Sequence, residues 1–236
     1  MLDAFAENIW IAEGKCVDFH GFPYPIRSVV VRLANGDIWL WSPIHFDETL
    51  ATEIEKLGPV THLVSPNKIH HLFLADWYAR FPNAKLWGPA STIKKRDDLL
   101  FEAPLDARSP TDWVDEMEQL HVTGSYAMDE ILFFHKASKT LIVADFSENF
   151  SKDFLKENWR IWQRWLAGFA GIVEGKGYAP IDWRSSFLRR KNLRLLKEEL
   201  LTKQVEKVVM AHGVLQHSDG HRFLRRKNED RQSIGA

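Results

Sequence analysis

Three short stretches of the chain share one pattern: an apolar run that stops abruptly at a residue able to bind a metal. They are Leu63-Val64-Ser65-Pro66-Asn67-Lys68-Ile69-His70-His71, Thr140-Leu141-Ile142-Val143-Ala144-Asp145 and Val208-Val209-Met210-Ala211-His212-Gly213. Imidazole nitrogen and carboxylate oxygen together suit Zn²⁺, Fe²⁺ or Mn²⁺. Two adjacent histidines at a helix start, a third histidine and an aspartate therefore form a candidate metal set. Loops at strand ends are where α/β folds build sites, because the strands hold them rigidly. Spacing alone leaves the other reading open, since a histidine at a strand end is more often an ordinary hydrogen-bonded side chain.

The elements that must carry these residues can be read from hydrophobic periodicity. Residues 8–12 alternate as a short strand. Residues 28–33 and 38–42 are apolar and β-branched or aromatic, and Ala34-Asn35-Gly36-Asp37 between them is a hairpin turn. Residues 47–57 have helical spacing, with Leu50, Ile54 and Leu57 on one face and a stop at Gly58-Pro59. Residues 60–64 read as a buried strand, 69–81 as a helix and 84–88 as another strand. Strands return at 120–122, 130–135 and 140–144. Residues 151–169 read as one helical stretch, in which Trp159, Trp162 and Trp165 form a stripe suited to core or interface packing, or to a lid or dimer face. Residues 189–201 read as a basic amphipathic helix and 205–210 as a last buried strand. The tail, 222–236, is polar and is expected to fray.

Composition narrows the function classes. The chain has 236 residues, 31 Lys+Arg against 32 Asp+Glu, 45% hydrophobic and 27% charged residues. These are globular values, which exclude a disordered chain. The net charge of −1 argues against a dedicated nucleic-acid binder. Cys16 is the only cysteine, so no internal disulfide forms and a cytoplasmic location is expected. Residues 1–5 lack a basic region and a long apolar run, so no signal peptide is expected. No stretch reaches the ~18 uncharged apolar residues of a membrane span. A phosphate-binding Gly-rich loop, a G-x-S-x-G elbow and a C-x-x-C pair are all missing from the sequence.

The order of these segments resembles the metallo-β-lactamase superfamily, in its divergent DUF4336-like branch. The residues that carry the resemblance are Trp41-Ser42-Pro43, Gly58-Pro59-Val60, Ser65-Pro66-Asn67-Lys68-Ile69-His70-His71, Val143-Ala144-Asp145 and Ala211-His212-Gly213. The Pro-Asn-Lys-x-His-His run is the most specific of them. The resemblance implies an α/β fold, a four-layer αββα sandwich in a single domain spanning residues 1–236. Typical members carry Thr-His-x-His-x-Asp-His after the first of the three strands. Laid on this chain, the histidines of one metal position fall on Pro66, Lys68 and, from a later segment, Ser125. The other position keeps His71, Asp145 and His212, and has His70 where the family has aspartate.

The resemblance thus implies one metal rather than two. The expected ligands are His70, His71, Asp145 and His212, with zinc, iron or manganese as the ion, or no cofactor if the site has lost its metal. Asp145 is expected as ligand or base. Lys68 is a candidate catalytic residue, its ammonium replacing a lost cation beside Asp145 and orienting an anionic substrate, or else a solvated lysine. Three functions follow: a metal-dependent hydrolase of a small molecule, a metal-free pseudoenzyme that binds a ligand or partner, and a mononuclear-iron oxidoreductase. Nucleic-acid and membrane partners are not expected, and a homodimer is a candidate assembly.

Overall fold

A computed structural model describes residues 1–225. The chain begins with strands β1 (Asp3–Ala6), β2 (Ile9–Glu13), β3 (Val17–Phe19), β4 (Phe22–Tyr24), β5 (Arg27–Arg32) and β6 (Ile38–Trp41). It continues through α1 (Glu48–Glu55), β7 (Val60–Val64), α2 (Leu74–Arg80), β8 (Lys85–Trp87) and α3 (Ala90–Lys95). Strands β9 (Met117–Val122), β10 (Glu130–His135) and β11 (Thr140–Val143) follow. Helices α4 (Lys152–Asn158), α5 (Ile161–Ala170), α6 (Ile181–Ser185) and α7 (Arg190–Thr202) lead to the last strand, β12 (Lys207–Met210).

Six strands form one sheet in the order β1-β2-β5-β6-β7-β8, and four form a second in the order β12-β11-β10-β9. Side chains alternate across each strand, and here both faces are apolar. Val29, Val31, Trp39 and Trp41 face inward and meet Phe133, Ile142 and Val209 of the second sheet. Their neighbours Val30, Ile38 and Leu40 face outward and pack with Leu50 and Ile54 of α1 and Trp77 of α2. On the far side, Leu132, Leu141 and Val208 pack with Trp183 of α6 and Leu196 and Leu200 of α7. The result is the four-layer αββα sandwich. It explains why these strands read as continuous apolar runs: a strand covered on both faces has no polar side.

Three of the expected elements come out differently. The helix expected over 69–81 starts only at Leu74. Asn67 prevents an earlier start, because its Oδ1 accepts the backbone N–H groups of Ile69 (2.8 Å) and His70 (3.2 Å) and closes a side-chain turn. The stretch 151–169 is two helices. Trp159 is extended between them, its indole donating to the Pro23 carbonyl at 2.8 Å, and α5 restarts with Gln163 capping the Arg160 N–H. Burial of one tryptophan therefore overrides the helical period. In the expected tail, Phe223 and Leu224 are buried in the outer cluster beside α7, whereas 226–236 lie outside the described residues.

Candidate metal centre

The site lies at the carboxyl ends of parallel strands. Strands β11 and β12 pair in parallel with Val143 opposite Met210. Asp145 and His212 each stand two residues beyond that pair, so equal offsets bring them level. Strands β6 and β7 also pair in parallel, Trp41 opposite Val64, and the chain after β7 turns through Asn67 to present His70. Packing the two sheets face to face sets these two pairs of strand ends side by side.

His70 Nε2 lies 3.4 Å from Asp145 Oδ2, and His212 Nε2 lies 3.6 Å from Asp145 Oδ1. One donor atom from each of the three residues falls within 4.8 Å of the others. Each donor is held from behind. His70 Nδ1 is 2.7 Å from Ser42 Oγ, and Ser42 itself takes a left-handed φ of 48°. Asn67 Nδ2 donates to Asp145 Oδ2 at 2.7 Å. His212 Nδ1 is 2.6 Å from the Pro25 carbonyl. Partners that orient ligands in this way fix imidazole tautomers and ring planes in metal sites. Burial alone pushes the Asp145 carboxyl up, but the adjacent His70 and His212 outweigh it and hold it well below the usual carboxylate range.

The donor set fits a divalent cation. A carbonyl oxygen can only accept, so His212 Nδ1 must carry the proton that binds Pro25. That leaves the lone pair of neutral His212 on Nε2, facing a carboxylate oxygen. Two electron-rich atoms held this close need a cation between them, either a metal or a proton on Nε2. Ligands 2.0–2.1 Å from a tetrahedral zinc lie about 3.3 Å apart; the separations here, 3.4 and 3.6 Å, run to different oxygens of Asp145, with one donor atom from each residue within 4.8 Å. Three protein ligands with a fourth position open is the arrangement of catalytic rather than structural zinc.

The family model for a domain of unknown function, DUF4336, matches residues 6–155. The chain belongs to the DUF4336 family. Its structure resembles the metallo-β-lactamase DIM-1 with a TM-score of 0.66 at 16% identity, covering 100% of this chain and 98% of that one. It resembles TMB-1 with a TM-score of 0.65 at 14% identity, with the same coverage. The mono-zinc form of the metallo-β-lactamase FIM-1 from Pseudomonas aeruginosa matches at 0.61 and 10% identity, over 98% of this chain and 95% of that one. These likenesses establish the metallo-β-lactamase fold. No functionally curated protein matches the chain.

Two residues expected at the site lie elsewhere. His71 is outside the donor cluster. Its Nδ1 is 3.5 Å from Arg96 Nη1, which also binds its carbonyl at 2.9 Å. Burial, together with Lys95 and Arg96, pulls this imidazole down to about 4. In this turn His70 faces Asp145, while His71 is turned to Arg96. Lys68 does not line the cavity over the site. The side chain of its turn that reaches Asp145 is Asn67. Ser125, onto which the resemblance maps a family histidine, hydrogen bonds Ser186 at 2.6 Å.

Several contributors carried no advance signal beyond their place in the resemblance or the chain. Glu130 at the start of β10 is buried and accepts the N–H groups of Ala144 (2.8 Å), Asp145 (3.0 Å) and Phe146 (3.1 Å), which shapes the turn bearing Asp145. Glu148, three residues after Asp145, is buried with Tyr24 Oη 3.4 Å away. Burial and the charges of Asp145 and Asp182 push its carboxyl well above the usual range. Arg27 donates to the carbonyls of Met210 (2.5 Å) and Gly213 (3.0 Å), which bracket His212. Gly213 has φ 96°, and a Cβ there would stand 2.2 Å from the Asn149 carbonyl oxygen. Only glycine lets the chain leave His212 in this direction.

Proposed function

We propose that this protein is a hydrolase dependent on a single divalent metal ion held by His70, Asp145 and His212, with zinc the ion best suited to the spacing. The observation that carries the proposal is the His212 ring. Its Nδ1 proton is committed to Pro25, so its Nε2 lone pair points at Asp145. When bound, a divalent cation supplies Lewis acidity toward water and toward an ester, amide or phosphoester oxygen.

The roles of the side chains follow from their surroundings. Asp145 faces both imidazoles and serves as a ligand. Glu148 is the proton carrier. It lines the same cavity, and burial beside Asp145 and Asp182 raises its carboxyl and favours the protonated form. Tyr24 donates to Glu148 and stacks edge-on against His212, which fixes both.

The test is a panel of esters, phosphodiesters and lactams assayed with zinc-loaded protein. The expected result is turnover of at least one class, abolished by chelator and by Asp145→Asn. Glu148→Gln keeps its metal but slows turnover by about 100-fold or more. Turnover indifferent to chelator and to Asp145→Asn contradicts the proposal. A melting curve unmoved by both chelator and zinc means that a proton on His212 fills the gap, and it makes the protein a metal-free binding protein.

A further inference from the structure

The donor cluster opens into a cavity of about 470 Å³, in the size range of small-molecule sites. Its polarity is one-ended. Ser42, His70, Asp145, Glu148, Tyr24 and His212 form one connected group at its base. Among the described residues, the remaining wall is apolar apart from His20 and Asp182, which are exposed. Two wall residues with polar tips present only their rings, because Trp159 donates its indole N–H to Pro23 and Trp183 donates to Met128. Among the described residues, no lysine or arginine lines the cavity.

The rim continues this apolar surface to the outside. Leu72 comes from the turn after β7, Leu166 and Phe169 from α5, and Ile181 from α6. All four line the cavity, yet they are 55%, 51%, 80% and 45% exposed. On the outer side of α5, Trp165 is 77% exposed and Trp162 53%. Scattered exposed apolar residues need no explanation, but a contiguous set around a cavity mouth marks a binding surface.

We infer that the substrate is an amphiphile: an alkyl or acyl chain fills the apolar wall and places an uncharged hydrolysable head group at the base. The inference rests on the proposed hydrolytic site for the head group alone. One polar end and one apolar end in a single cavity match a ligand with the same division. The mouth of exposed side chains from three elements gives the chain an apolar path inward. The expected Trp159/Trp162/Trp165 stripe thus divides in two, Trp159 as cavity wall and the other two as outer approach.

The test uses straight-chain 1-alkanols from butanol to dodecanol, which carry no charge and need no metal, titrated calorimetrically with and without chelator. Affinity is expected to rise about three- to fourfold per methylene, then level off once the cavity is full. Phe169→Asp, at an exposed position, is expected to weaken decanol binding about tenfold or more while the metal content stays unchanged. Ala167→Leu, on the inner face of α5, is expected to shorten the chain length at which affinity levels off. Affinity that does not depend on chain length, or Phe169→Asp binding as wild type, overturns the inference and leaves the metal site standing. A dimer in sedimentation that dissociates on Phe169→Asp also overturns it, because a second copy then covers the mouth. A chain-length series in wild-type protein that takes up no metal after incubation with zinc, iron or manganese supports the apolar pocket and removes the hydrolytic reading instead.

Discussion

Arg27 is the residue whose replacement should propagate furthest into the site. Its guanidinium is buried, at 6% exposure, and bridges the start of β5 to the turn after β12. Two of its N–H groups hold the carbonyls of Met210 and Gly213. The Pro25 carbonyl of the same segment holds His212 Nδ1. In Arg27→Met the stem is kept, and both carbonyls lose a charged donor. Hydrogen bonds from a charged group contribute about 1.5–3 kcal/mol each. An under-satisfied carbonyl costs somewhat less than an orphaned N–H. The ion pair with half-exposed Glu13 adds under about 1 kcal/mol. The expected loss is therefore about 3 kcal/mol, which for a chain of this size lowers the melting temperature by about 6–12 °C. The same change frees the turn bearing His212, so metal affinity should fall about 10- to 100-fold, as for other residues that orient ligands. Urea unfolding reads the first effect, as a lower midpoint with an unchanged slope. Competition with a chromogenic chelator reads the second. Arg27→Lys can reach one carbonyl and should recover about half the stability. A methionine variant that melts within 2 °C of wild type and binds metal equally well refutes the reasoning.

Three further outcomes follow from the same geometry. His71 is depressed to about 4 in the fold from 6.5 in the unfolded chain, so the unfolded state takes up the proton first. The stability carried by neutral His71 is present above about pH 6.5 and is lost as pH falls toward 4. It is bounded at about 3 kcal/mol and brought nearer 2 by solvent on the Arg96 side. His71→Gln should flatten that segment of the pH–stability curve, measured in chelator, and an unchanged curve would count against the assignment. Lys68→Ala should leave metal content and melting temperature unaltered, because Asn67 rather than Lys68 contacts Asp145; loss of metal in this variant would restore Lys68 to the site. Gly213→Ala forces the chain away from Asn149, and it should lose metal binding with a smaller loss of secondary structure, read by circular dichroism beside elemental analysis.

The strands of the fold were legible in the sequence because two-sided burial leaves uninterrupted apolar runs, whereas their assembly into four layers was implied by the family resemblance. Strands β5, β6, β7, β10, β11 and β12 all sit within a residue or two of where those runs place them. Three of the four expected ligands, His70, Asp145 and His212, converge. Strand ends are fixed by the runs before them, and parallel pairing then levels them. His71 departs from the expectation for a local cause: the Asn67 side chain replaces the first helical turn, and Arg96 holds the His71 ring and carbonyl away from the donor cluster. Glu130 and Arg27 reach the segments bearing Asp145 and His212 across 15 and 183 residues, and Glu148, though near Asp145 in sequence, meets Tyr24 across 124. No local spacing encodes contacts of that range. The division of residues 151–169 into two helices came from burial of Trp159 against the ribbon of β3 and β4, an element too short to announce itself.

The central claim is that His70, Asp145 and His212 hold one divalent ion. Elemental analysis of tag-free protein tests it most directly, run beside Asp145→Asn, His212→Ala and His71→Ala. The account predicts about one equivalent of zinc, iron or manganese in wild type and in His71→Ala, and none in the other two. No metal in any sample after incubation with each ion contradicts it, as does metal that survives in His212→Ala and disappears in His71→Ala.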